Sequence, residues 1–351
     1  MKTVAVLSLA VISSALAQQP RVQNAKMETR VVAGGLQGTF NSIVSAQTSP
    51  AWVGYSVPIV KGDRQMCCWN DSVRGCFLEP SRNSGVTIVN GTTTVKLEGP
   101  TELVVLFRIE NRQLGKVRTF TPECELDAGG LPLVWLSGVN PTESVKLLLS
   151  IAKDTAGGAK DQMRRADSAI SAIAMHADPS ADAALDELMA TNQPDQVRRQ
   201  AIFWIGNARG EHGFDVISRV VRDDPNDKIR EHAIFALTQN KDPRALGVVS
   251  SVAHNDKSPR VRGQALFWLA QKAGQKVAEQ AISDAIANDP ETEVKKKAVF
   301  ALTQMPAGEG VPLLIQVART NRNPEVRKQA IFWLGQSKDE RALAFIEEVL
   351  K

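Results

Sequence analysis

The chain restates one segment five times. VRRQAIFWIGN (197–207), IREHAIFALTQ (229–239), VRGQALFWLAQ (261–271), VKKKAVFALTQ (294–304) and VRKQAIFWLGQ (326–336) share a pattern, and their alanines Ala201, Ala233, Ala265, Ala298 and Ala330 stand 32, 32, 33 and 32 residues apart. A degenerate copy, RADSAISAIAM (165–175), puts Ala169 another 32 residues upstream. Between copies lies a second amphipathic segment, as in DPRALGVVSSVAHND (242–256) or DERALAFIEEVLK (339–351), so each period holds two helices. A two-helix unit of that size cannot bury its apolar face alone, and stacked neighbours supply the missing core. The period therefore predicts an α-solenoid of about 13 helices from Thr142 to Lys351. Asn226-Asp227, Ser258-Pro259 and Asn323-Pro324 supply cap and first-turn residues before the second helix of a pair.

A helical wheel sorts the repeated segment. With Val197 at zero and 100° per residue, Ala201 falls at 40°, Ile205 at 80° and Trp204 at 340°, an apolar arc expected to face the core. Phe203 falls at 240°, among Arg199, Gln200 and Asn207. Stacking would line up Phe203, Phe235, Phe267, Phe300 and Phe332 along successive second helices, bordered by Asn207, Gln239, Gln271, Gln304 and Gln336. Second helices of such solenoids line the concave wall, so these ten residues are the candidate partner-binding set. Aromatics give apolar contact and amides bond an extended backbone. The competing expectation is that each phenylalanine is mortar between neighbouring helices. The next position alternates as Trp204, Ala236, Trp268, Ala301, Trp333, and large facing small is expected as core packing. The basic column Arg198, Arg230, Arg262, Lys295 and Arg327 is expected to bond carbonyls of a neighbouring repeat, or acids such as Asp195 and Asp227.

NPEVRKQAIFWLGQSKDERALAFIEEVL (323–350) resembles the HEAT-like repeat of the phycobilisome-lyase type, with Val-Arg opening one helix and Asp-x-x-Ala-Leu the next. The resemblance covers 140–351 and implies the solenoid fold. For function it is weak, because such solenoids serve many partners.

Residues 18–139 use a different grammar, rich in Gly, Pro, Ser and Thr, with apolar residues in short runs. This stretch is expected to be a small β-rich domain stapled by disulfides. TELVVLFRIE (101–110) and GKVRTFTPE (115–123), joined by NRQL, read as a hairpin. AWVGYSVPIV (51–60) is a third strand, with Pro58 at its edge or end. Cys67, Cys68, Cys76 and Cys124 read as two disulfides, each member of the adjacent pair reaching Cys76 or Cys124, because a bond between neighbours would be strained. GDRQMCCW (62–69) and CELDAGG (124–130) bring Asp63, Arg64, Glu125 and Asp127 forward as polar members of a site, against the plainer expectation of turns held by disulfides.

The opening MKTVAVLSLAVISSALAQQP sets one lysine before an apolar run that ends in Ala15-Leu16-Ala17, the pattern of a signal peptide over 1–17 cut after Ala17. A periplasmic or secreted protein is expected, without a membrane span or a cysteine after the cut to carry lipid. The layout of leader, cysteine-bearing domain and repeats is similar to that of exported HEAT-repeat proteins of bacteria. Without Lys2 the balance is 41 basic against 38 acidic side chains, which gives no support to nucleic-acid binding.

The resemblance raises catalysis, since HEAT-like repeats occur in bilin lyases and in deoxyhypusine hydroxylase. The hydroxylase would need His-Glu metal pairs, whereas here glutamate precedes histidine, as GEHG and REHA. His176, His212, His232 and His254 share no ligand spacing and are expected as surface or cap residues. Bilin lyases act on cytoplasmic antenna proteins, which conflicts with a leader. No histidine precedes His176 to serve a nucleophile in the first half. AGGL (33–36) and AGGAK (156–160) are too short and misplaced for a phosphate loop. No catalytic residue, cofactor or metal is expected. The reading is an exported scaffold whose concave face engages a protein or extended peptide. The alternative puts a ligand-binding or catalytic site in the N-terminal domain, docked by the solenoid.

Overall fold

A computed structural model describes residues 20–62, 66–68, 75–79, 99–155 and 158–351. The expected signal peptide and the candidates Asp63 and Arg64 lie outside the described residues. The chain divides into two compact units, one comprising residues 1–147 with 175–178 and the other 148–174 with 179–351, so that the division falls inside a helix.

The first unit contains two sheets. Its strands are β1 (Val22–Gln23), β2 (Lys26–Val31), β3 (Ala51–Pro58), β4 (Gly75–Phe77), β5 (Glu102–Glu110), β6 (Gln113–Phe120), β7 (Glu125–Asp127) and β8 (Pro132–Ser137). The larger sheet has the order β2-β8-β3-β5-β6, and the smaller β1-β7-β4. β3 pairs antiparallel with β5 but parallel with β8, which also lies parallel to β2. β3 is the central strand, and every residue from Ala51 to Val57 is buried. Gly54 fits there because a Cβ would stand 2.3 Å from Leu106 Cδ2.

The expected hairpin is β5–β6, but its turn is shorter than NRQL. Gln113 and Leu114 continue the ladder opposite Glu110 and Ile109, leaving Asn111 and Arg112 as the turn, with φ of 53° and 59°. Positive φ at both central residues matches the right-handed twist of the flanking strands. Pro58 ends β3 at a sheet centre rather than an edge. A helix not expected from sequence, α1 (Leu36–Ala46), connects β2 to β3. Leu36, Phe40 and Ile43 are its buried face, and Phe40 meets Phe107 edge-on at 4.8 Å. Their spacing of four and three is helical, yet the surrounding Gly, Thr and Ser obscured it.

Of the two expected disulfides one is formed, Cys67–Cys124. Cys68 and Cys76 are thiols. The Cys68 N–H donates to Cys76 Sγ at 2.8 Å, so the second pair is close without being joined.

The second unit is helical. The helices from Pro141 onward are α2 (Pro141–Lys153), α3 (Lys160–Met175), α4 (Ser180–Met189), α5 (Asp195–Ala208), α6 (Gly210–Asp223), α7 (Asp227–Gln239), α8 (Ala245–Asn255), α9 (Pro259–Lys272), α10 (Gln275–Asn288), α11 (Thr292–Leu302), α12 (Gly310–Thr320), α13 (Pro324–Gln336) and α14 (Glu340–Leu350). These are the 13 helices expected, among the described residues. The repeated segments are α5, α7, α9, α11 and α13, each packed on the next, while α6, α8 and α10 form a second row. Asn226 and Asn323 accept cap bonds from Lys228 N–H and Glu325 N–H; Ser258 makes no such bond, but Pro259 opens α9. No described helix is long and apolar enough to cross a membrane.

Candidate functional site

In α5 the buried residues include Val197, Arg198, Ala201, Ile202 and Ile205. At 100° per residue they span 0° to about 140°, centred near 70°. Phe203 therefore points away from the core, as the wheel predicts. Trp204 lies about 90° from that centre, so it does not belong to the core arc; it is half-buried, like Trp268 and Trp333. The expectation of core tryptophans is corrected by that geometry.

The tryptophans instead join the phenylalanines. Phe203 meets Trp204 edge-on at 5.1 Å and stacks on Phe235 at 5.8 Å, 13° from parallel. Phe235 meets Trp268 at 4.9 Å, and Trp268 meets Phe267 at 5.2 Å. Phe267 stacks on Phe300 at 6.1 Å and 7°; Phe300 meets Trp333 at 5.0 Å, and Trp333 meets Phe332 at 5.0 Å. Eight rings thus run unbroken across five helices. The Trp/Ala alternation now has a cause. Where the next helix carries a tryptophan, its indole fills the space between two phenylalanines; where it carries the fully buried Ala236 or Ala301, the phenylalanines stack on each other directly.

The ladder is a surface feature. Phe203, Phe235, Phe267 and Phe300 are half-buried, and Phe332 is 55% exposed. Each ring is therefore mortar on one side and open on the other. The indole N–H groups of Trp268 and Trp333 are buried and have no hydrogen-bond acceptor among the described residues. Of the bordering amides, Gln239 and Gln304 donate to their neighbours Thr238 and Thr303, at 3.2 and 2.9 Å. Asn207 is half-buried, while Gln271 and Gln336 are exposed.

The basic column is structural, with different acids from those expected. Arg198 bonds Asp224; Arg230 forks onto Asp256 at 2.8 and 2.9 Å; Arg262 forks onto Asp289 at 2.7 and 2.9 Å. Each acid closes the inter-helix turn one repeat onward, also accepting the N–H of Asn226, Ser258 or Glu291. Asp195 and Asp227 open their own helices; Asp195 accepts from Asn226 of the next repeat at 3.2 Å rather than from the basic column. Burial by itself would raise the Asp289 carboxyl, but the Arg262 and Glu291 hydrogen bonds outweigh it and hold it below the ordinary value. At the next copy both partners change: Lys295 donates to Ala287 O, and the turn holds Asn321. Arg327 donates to Asn321 O and Arg322 O.

His176 corrects the expectation for the histidines. It is fully buried in the first unit, 2.8 Å from Ser144 Oγ, which lies 2.7 Å from Tyr55 Oη. The pair has the spacing of a nucleophile and base, but both side chains are 0% exposed, so a substrate cannot approach the hydroxyl. The chain of bonds satisfies three buried polar groups. Sequence reasoning missed it because His176 belongs to the first unit only through the return of residues 175–178. His232 is half-buried and edge-on to Phe235 at 6.3 Å, and burial lowers its pKa.

The other polar candidates are committed locally. Asp127 accepts from Asn24 at 2.8 Å and from Gly129 N–H at 2.7 Å, and Glu125 is half-buried on β7. Glu79, not among the residues expected from the sequence, accepts from Arg108 and Trp52 at 2.7 and 3.1 Å. Among the described residues no three His, Cys, Asp or Glu side chains are grouped to hold a metal ion.

The second unit is a solenoid of HEAT-like repeats. Residues 279–351 match the family model for HEAT repeats. Similar solved structures include the complex of CpcE and CpcF of phycocyanin lyase from Nostoc sp. PCC7120, at 15% identity and TM-score 0.35 over 45% of this chain and 97% of that one. Human deoxyhypusine hydroxylase in complex with glycerol is similar at 15% identity and TM-score 0.29, over 59% of this chain and 76% of that one. Yeast importin-beta (Kap95p) is similar at 16% identity and TM-score 0.30, over 55% and 27%. No curated protein matches the chain.

Proposed function

We propose that this is an exported, non-enzymatic scaffold that binds a protein or an extended peptide along the face carrying the aromatic ladder. The observation that carries the reading is the ladder itself: eight rings in contact across five helices, outside a buried core that other positions fill. A solenoid gains nothing in solubility from such a row, and half-exposed, pre-ordered aromatic rings are what binding surfaces use as anchors. The amides Gln271 and Gln336 are exposed at its border, where they can bond a peptide backbone. Export rests on the leader-like opening and on the Cys67–Cys124 bond, which an oxidising compartment favours.

Affinity capture from a native envelope fraction tests this, comparing wild type with a Phe235→Ser, Phe267→Ser, Phe300→Ser variant whose fold is checked by circular dichroism. Partners held by wild type and lost by the folded variant support the reading. A folded variant that captures the same proteins refutes it.

A further inference from the structure

Cys68 directly follows the bridged Cys67, and its N–H donates to Cys76 Sγ at 2.8 Å. The dipeptide offers one sulfur to Cys124, ahead of β7, and the other to Cys76 on β4. Those strands pair, with Cys76 opposite Leu126. Cys76 and Cys124 sit in one apolar cluster with Trp52, Leu78 and Leu126, and Cys67 and Cys68 pack against it.

The two thiols differ in character. Cys68 is half-buried and reachable from solvent, with Arg118 Nη2 donating to its sulfur at 3.4 Å. Cys76 is 1% exposed; burial, and then the adjoining Cys68 sulfur, push its thiol up to about 12.

We infer that Cys68 and Cys76 form a two-thiol oxidation site, in which Cys68 attacks a small-molecule disulfide and Cys76 resolves the product into a second bridge. The Cys68 thiolate attacks one sulfur of glutathione disulfide, forming a mixed disulfide and releasing one glutathione thiolate. The Cys76 thiol gives up its proton to that thiolate, and its sulfur then attacks Cys68 Sγ. The second glutathione leaves as a thiolate and takes the proton that Cys68 had lost to solvent. Two protein thiols become one disulfide while glutathione disulfide is reduced to two thiols. The competing attack of Cys68 on Cys67 would join adjacent residues, which strain disfavours.

The full chain, incubated with glutathione disulfide and quenched with N-ethylmaleimide in denaturant, is mapped by mass spectrometry of non-reduced peptides. Wild type is expected to lose both maleimide labels, to yield a Cys68–Cys76 linked peptide beside Cys67–Cys124, and to retain no glutathione. A bridge already closed before oxidation supports the pairing equally. Cys76→Ser should keep one glutathione on Cys68, and Cys68→Ser should leave Cys76 as a labelled thiol. Glutathione held on Cys68 in wild type while Cys76 stays labelled overturns the inference, as does a link from Cys76 to Cys67 or Cys124. A Cys76–glutathione adduct in Cys68→Ser overturns the assignment of Cys68 as the attacking sulfur.

Discussion

Replacing Arg262 by methionine should cost the solenoid about 4 kcal/mol, within the 3–5 expected when one partner of a buried ion pair is removed. Arg262 makes three bonds, two to the Asp289 carboxylate and one to Asp256 O at 2.8 Å, and the paired side chains are 8% and 5% exposed. Methionine fills much of the volume, so the loss is electrostatic: a buried carboxylate keeps the Glu291 N–H and the weaker pull of Lys295. The chain contains its own control, because one repeat on Lys295 stands in place of the arginine and Asn321 in place of the acid. The double variant Arg262→Lys, Asp289→Asn copies that arrangement and should return to within about 1 kcal/mol of wild type, since the buried carboxylate is gone and the ammonium can donate to a carbonyl as Lys295 does. Urea unfolding followed by circular dichroism reads the difference, and hydrogen exchange in α9 and α11 localises it, as repeat arrays need not unfold in one step. The sign with pH is fixed by Asp289. Its folded value is depressed, so its stabilisation is present above the unfolded 3.8 and disappears as pH falls through the lower folded value. In Arg262→Met burial dominates and raises the carboxyl, so the deficit is largest at neutral pH and narrows in acid. A single variant within about 1 kcal/mol of wild type, or a double variant no better than the single, would refute the reasoning.

Four further outcomes follow from the same geometry. Trp268→Ala, which removes the indole between Phe235 and Phe267, should destabilise by about 2 kcal/mol, whereas Phe332→Ser at the exposed end should stay within about 0.5, both by chemical denaturation. Gly310→Ala should destabilise despite the better helix propensity of alanine, because the added Cβ would stand 1.9 Å from Leu302 O; the thermal midpoint reads this directly. His232 has a folded pKa lowered by burial, so its contribution is complete above the unfolded 6.5 and is lost as pH falls below it; a titration of its ring by NMR should give an inflection below 6.5. Tyr55→Phe strips the Ser144–His176 chain of one bond and should cost about 1 kcal/mol in urea.

The period, the pairing of helices within it and the outward direction of Phe203 and its equivalents were legible in the sequence. A helical period of 3.6 places each residue on a face before any partner is known, and five copies average out local noise. β3 and β5 were legible too, because their apolar runs are long enough to declare strands, and β6 through the turn residues that separate it from β5. α1 was hidden because only three buried apolar residues mark its inner face, among Gly, Thr, Asn and Ser. Asp224, Asp256 and Asp289 went unassigned because a turn acid reads as a cap, and its second bond crosses to another repeat.

What the sequence by itself determined, then, is the repeated unit and the direction of its faces, since both depend on dihedral geometry internal to one helix. Only the tertiary structure decided that the tryptophans belong with the phenylalanines, because an indole at the rim of a helix face is assigned by the ring it meets on the next helix. Only it decided that His176 is interior, that one disulfide is closed, and that a second thiol pair waits beside it. Those outcomes depend on distances between residues far apart in the chain, and periodicity carries no information about them.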